Sequence, residues 1–107
     1  MRARHAVILS TTPSSRAKKL ARALVRERLA ACVNILPGAS SVYRWKGRVE
    51  EARESLLVIK TRLSTWPRLE ARLRELHPYD VPEILELPIA RGSRPYLLWL
   101  DSSTGRG

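Results

Sequence analysis

The chain has 107 residues, 44% of them hydrophobic, with 20 lysines and arginines against 10 acidic residues and a formal net charge of +10. That length supports one core and one domain, spanning residues 1–107, and no apolar run approaches the roughly 20 residues of a membrane-spanning helix. A single cysteine excludes an internal disulfide, and the apolar stretch Ala6 to Leu9 is too short for a secretory signal, so a cytoplasmic protein without membrane contact is expected.

His5 to Ser10 has the length and composition of a strand, and Thr11-Thr12-Pro13 turns it into a helix, with Thr12 placed to cap and Pro13 suited to the first turn. Along that helix, expected to reach about Leu29, Lys18, Lys19, Arg22 and Arg26 fall on one arc opposite Ala17, Leu20, Ala21 and Leu24. The charge therefore has a solvated helix face to occupy. No aromatic residue interleaves with the stripe to stack on bases, so specific nucleic-acid recognition is not expected. Arg28 falls on the apolar side and must snorkel or meet a helix C-terminus.

Ala31 to Leu36 reads as a second strand, broken by Pro37-Gly38 and resumed from Ser40 to Trp45. Lys46-Gly47 is a turn signal, and Ser55 to Arg62 is an apolar strand preceded by the charged run Arg48 to Glu54, which together predict a long, protruding hairpin. Cys32, between Ala31 and Val33, fits a buried, inert thiol. Ser64 can cap a second helix with Pro67 in its first turn and Trp66, Leu69, Leu73 and Leu76 at helical spacing. Glu83 to Ile89 is the last strand, and Pro88 marks it as an edge. A short helix follows from Ser93-Arg94-Pro95, and residues 1–4 and the tail from Ser102 to Gly107 are expected to fray.

The order β-α-β-β-α-β with a terminal helix is that of an α+β, ferredoxin-like sandwich. Both helices would cover one face of the sheet, yet Ala6-Val7-Ile8-Leu9 and Leu56-Leu57-Val58-Ile59 are apolar on both sides. A half-covered antiparallel sheet would alternate, so another subunit is expected on the second face. A shortage of Asn and Gln, with Asn34 the only one of either, suits a heat-adapted source, while a GC-rich genome would produce the same bias toward arginine.

Chemistry concentrates in His77-Pro78-Tyr79-Asp80-Val81-Pro82-Glu83-Ile84, where two prolines forbid a helix around an imidazole, a phenol and two carboxylates. Pro78 at the second position of a β-turn brings the turn's ends within about 7 Å, so His77 and Asp80 face each other. His77, Asp80 and Glu83 have donor types suited to a divalent metal, with further ligands to come across a subunit interface. In the alternative, His77 caps the second helix and bonds Asp80. The glycines form neither a P-loop nor a dinucleotide fingerprint, and Ser10, His77 and Asp80 lack a nucleophile elbow, so no enzyme activity is expected.

Leu29-Ala30-Ala31-Cys32-Val33-Asn34-Ile35, Ser41-Val42-Tyr43-Arg44-Trp45-Lys46-Gly47, Ile59-Lys60-Thr61 and the turn from His77 to Ile84, in this order and spacing, resemble the CutA divalent-cation-tolerance family nearly end to end. The resemblance implies a homotrimer similar in build to the PII signalling proteins, a role in the response to metal ions, and in some members copper binding. It also implies that Tyr43, Trp45, Lys60 and Tyr79 lie around clefts between subunits. Some members carry a cysteine where this chain has Ser10 and a histidine pair where it has Leu76-His77. Without that thiolate, imidazole and carboxylate suit Cu(II) or Zn(II) better than Cu(I). Two other readings stand beside metal response: a PII-like trimer whose clefts hold a small anion, with Lys60 as its cation, and a non-catalytic interaction scaffold.

Overall fold

A computed structural model describes residues 3–105. Its elements run β1 (His5–Thr12), α1 (Ser14–Arg26), β2 (Cys32–Trp45), β3 (Arg48–Arg62), a 3-10 turn (Leu63–Thr65), α2 (Trp66–Leu76), β4 (Leu85–Ile89) and α3 (Arg94–Ser103). The four strands form one sheet in the order β2-β3-β1-β4, every pair antiparallel, which is the ferredoxin-like arrangement. Pro88 lies opposite Ala6 on the edge strand β4, where its missing N–H costs no ladder bond.

Burial alternates along β1, with Ala6, Ile8, Ser10 and Thr12 buried, and their β3 partners Leu57, Ile59 and Thr61 share that face. Against it pack Ala17, Leu20, Ala21 and Leu24 of α1 and Leu69 and Leu73 of α2. Each fully buried leucine contributes about 1.5–3 kcal/mol by leaving water. The opposite arc of α1, with Lys18, Lys19, Arg22 and Arg26, is exposed, as its helical spacing requires.

The hairpin extends beyond the helices. β1 accompanies β3 only as far as Thr12 and Ser55, and from there β2 and β3 pair with each other alone out to Trp45 and Arg48. Lys46 (φ 50) and Gly47 (φ 78) turn the chain with two successive left-handed residues, the hairpin geometry that matches strand twist. The break expected at Pro37-Gly38 is a register shift between Leu36 and Ala39 within one continuous strand.

Several helix ends differ from expectation. α1 begins after Pro13, the Thr12 side chain makes no capping bond, and its buried hydroxyl has no partner among the described residues. Ser64 lies inside the 3-10 turn rather than capping α2. α1 stops at Arg26, because Arg28 takes a left-handed φ of 59 that ends the helix before Leu29. The Arg28 guanidinium meets a helix C-terminus, but that of α3: Nε donates to the Gly105 carbonyl at 2.8 Å and Nη2 to the Ser102 carbonyl at 2.6 Å. Arg62 donates to the Thr104 hydroxyl and carbonyl, each at 2.9 Å. The described part of the tail is thus fastened rather than frayed, since its orphan carbonyls find two cations. At Gly105, with φ +74, any Cβ would also collide with the Arg62 guanidinium. At the other end, the Arg4 carbonyl accepts the Leu63 N–H at 2.9 Å. The remaining expected fray, at residues 1–2 and 106–107, lies outside the described residues.

α3 covers one end of the sheet's second face, where His5 Nε2 lies 2.8 Å from Asp101 Oδ1. The other end is open, leaving Leu36, Leu85 and Leu87 exposed at 47%, 55% and 46% beside half-buried Leu9, Leu56 and Val58. β4 begins at Leu85, so Glu83 and Ile84 precede it rather than opening it.

Candidate functional site: an acidic, aromatic cleft

The turn after α2 is built around His77. Its N–H caps the helix on the Leu73 carbonyl at 2.9 Å, and its side chain is buried. Nε2 lies 2.8 Å from the Thr11 carbonyl oxygen, which can only accept, so Nε2 carries the proton. Nδ1 accepts the Tyr79 N–H at 3.1 Å and is therefore unprotonated. The imidazole is neutral and both its nitrogens are spent on backbone groups, stitching the turn to the end of β1.

His77 caps α2 as anticipated, but its partners are Thr11 and Tyr79 rather than Asp80. As a member of a metal set with Asp80 and Glu83 it does not fit, because neither nitrogen can reach a metal without stranding a backbone partner. Among the described residues no three His, Cys, Asp or Glu side chains stand close enough to hold an ion together. Ser10 is not brought to His77 either: its buried hydroxyl lies on the face toward the helices and has no hydrogen-bond partner among the described residues.

The turn does form one wall of an open cleft of about 670 Å³. Tyr79, Asp80 and Glu83 contribute from the turn, Tyr43 and Trp45 from the hairpin, and Ser40, Ser41, Thr11 and Glu54 from the floor and its margin. Tyr79 leans on the His77 ring, centroids 4.8 Å apart, and its hydroxyl donates to Glu54 Oε2 at 2.7 Å. Burial, then the bond to Glu54 and the negative charge behind it, push the phenol up to about 12. It is a fixed donor at any ordinary pH.

Tyr43, Trp45 and Tyr79 are thus brought together, while Lys60 is not. Lys60 sits opposite Cys32 and Val7, its ammonium on the Asn34 side-chain oxygen, six residues along β3 from Glu54, about 20 Å at strand rise. Cys32 is half-buried beside the same asparagine rather than in the core. The residue that sequence reasoning undervalued is Glu54. From the sequence it is the last member of a charged run and one possible partner, with Glu86, for a cross-subunit salt bridge to Lys60, but its burial together with Ser55 is not legible there.

Comparison with known proteins accords with this architecture. Residues 6–103 match the family described as CutA1 divalent ion tolerance protein. The chain is 56% identical over 100 residues to a divalent-cation tolerance protein CutA of Thermus thermophilus, covering 92% of this chain and 97% of that one. It is 52% identical over 99 residues to a chloroplastic protein CutA of Arabidopsis thaliana, covering 92% of this chain but only 54% of the plant protein, so it spans about half that relative's length. Among solved structures, the Thermus thermophilus divalent cation tolerance protein superposes with a TM-score of 0.92 at 54% identity, covering 94% of this chain and 99% of the other. CutA1 from Oryza sativa superposes with a TM-score of 0.93 at 44% identity, covering 98% and 97%. With a family match across nearly the whole chain and the same fold in its relatives, this protein belongs to the CutA1 divalent ion tolerance family.

Proposed function

We propose that the chain serves divalent-cation tolerance in the cytoplasm as a non-catalytic homotrimer, its copies joined over the open end of the sheet. The observation that carries the reading is that face: Leu36, Leu85 and Leu87 are exposed on both edge strands of a sheet whose other face packs against α1 and α2. Apolar side chains beside unpaired strand edges favour association and invite aggregation when left uncovered. Three copies are what the family resemblance implies, and the tolerance role rests on family membership. Cu(II) or another divalent ion is the agent of the response, but no resident centre is routed through His77, whose ring is committed to the backbone. The small-anion alternative draws no support from the cleft of a single copy, which is lined by three carboxylates with Lys60 elsewhere.

The test pairs solution mass with growth under copper. The parent is expected at three times the subunit mass, and Leu85→Glu with Leu87→Glu is expected to dissociate and to lose the ability to restore copper tolerance to cells lacking the protein. His77→Ala should leave any Cu(II) or Zn(II) titration of the purified protein unchanged. A monomeric parent, or a dissociated variant that still confers tolerance, sinks the assembly reading.

A further inference from the structure

Glu54 is only 5% exposed, yet it borders an open cleft. The Tyr79 hydroxyl donates a hydrogen bond to it but carries no positive charge. Among the described residues, no Lys, Arg or His lies within ion-pair distance of it. A carboxylate withdrawn from water without a counter-charge is unfavourable, and a neighbouring cation is the ordinary remedy.

The composition of the cleft points the same way. Basic side chains outnumber acidic ones 20 to 10 in this chain, yet Glu54, Asp80 and Glu83 line the cleft and no lysine or arginine among the described residues does. Its remaining walls include Tyr43, Trp45 and Tyr79, and ring faces attract cations. Trp45 already shows that preference, with the Lys46 ammonium 5.9 Å from its ring centre, outside the lining. A bare metal ion fits poorly, since no three carboxylates converge on a point among the described residues, whereas about 670 Å³ is the size of a small-molecule site.

We propose that this cleft receives an organic cation, an ammonium or guanidinium group held against the Glu54 carboxylate between the aromatic walls, with Asp80 and Glu83 at its mouth. The inference does not depend on the tolerance role. The same chemistry has two sources: a free small molecule, or a basic side chain of a second copy.

Agmatine and spermidine serve as probes in calorimetric titrations of the full chain, with solution mass followed in parallel. If the cation is a free molecule, at least one probe binds saturably. Glu54→Gln then weakens binding by about thirtyfold or more, the loss expected for one partner of a buried charge pair. Asp80→Asn with Glu83→Gln, which alters only exposed side chains and so leaves folding intact, also weakens it, and the mass is unchanged. If the cation belongs to a second copy, neither probe binds the assembled protein, and Glu54→Gln makes the assembly dissociate on dilution. Absence of probe binding together with a Glu54→Gln protein that assembles and melts like the parent overturns the proposal. So does displacement of a bound probe by stoichiometric Mg(II) or Zn(II), or preferential binding of inorganic phosphate.

Discussion

Tyr79 carries more of the site than its place in a turn suggests. Its ring covers His77, its N–H fixes the histidine tautomer, and among the described residues its hydroxyl is the one proton donor on the buried Glu54 carboxylate. Because the folded protein raises the phenol from 10.0 to about 12, the native state holds that proton where the unfolded chain has released it. The stabilising contribution is therefore complete below pH 10 and is lost as pH rises from 10 toward 12. Denaturant titrations at pH 9 and pH 11 should show the parent losing stability across this window. Tyr79→Phe, less stable at pH 9 for want of the bond to Glu54, should lose less over the same interval. Equal slopes for the two proteins would mean that Tyr79 is not the group that titrates. Tyr96 is also raised by burial, and its contribution cancels in the comparison.

At the scale of elements, α3 is held by side chains that originate far away in sequence. Arg28 reaches Gly105 across 77 residues, and Arg62 reaches Thr104 across 42. Arg28→Ala keeps the backbone path and the Arg62 bonds but removes the two Arg28 donors from the α3 terminus, an expected loss of about 1–2 kcal/mol. Hydrogen exchange should localise it: amides near Leu100 and Asp101 gain rate while those of β1 and β3 do not. Uniform loss of protection would instead mean that α3 and the sheet unfold as one. The same contacts explain what could be read beforehand. Strand alternation around Ile8 and Ile59, the apolar stripe from Ala17 to Leu24, and the turn at Lys46-Gly47 are local patterns, and each element stood where its pattern put it. The caps at Thr12 and Ser64 were misplaced because a hydroxyl's partner depends on where the backbone turns by a single residue. The tail reads as loose because its Gly and Ser content says nothing about two arginines placed elsewhere. Within the site, the aromatic residues and the turn were legible as types. The spent nitrogens of His77 and the burial of Glu54 were not, since both arise from β1, β3 and the turn meeting in space.

The whole molecule sets apolar association against charge. One copy measures 44 × 28 × 23 Å and carries a formal charge of +10, so bringing copies together over Leu36, Leu85 and Leu87 also brings together like charges. Screening decides how far that repulsion reaches: about 30 Å at 0.01 M salt, comparable to a whole subunit, and about 8 Å at 0.15 M, a fraction of one subunit's width. The apolar contribution at the joint changes little over that range, so repulsion is the part that salt removes. Raising sodium chloride from 10 to 150 mM should therefore tighten the assembly, seen by sedimentation as a lower concentration at half-dissociation, and should raise the melting temperature with it. A joint dominated by ion pairs between copies, such as a neighbour's basic side chain seated on Glu54, has the opposite slope, because salt screens attraction as readily as repulsion. The sign of the salt dependence thus separates an assembly driven by the open sheet face from one locked by charge in the cleft.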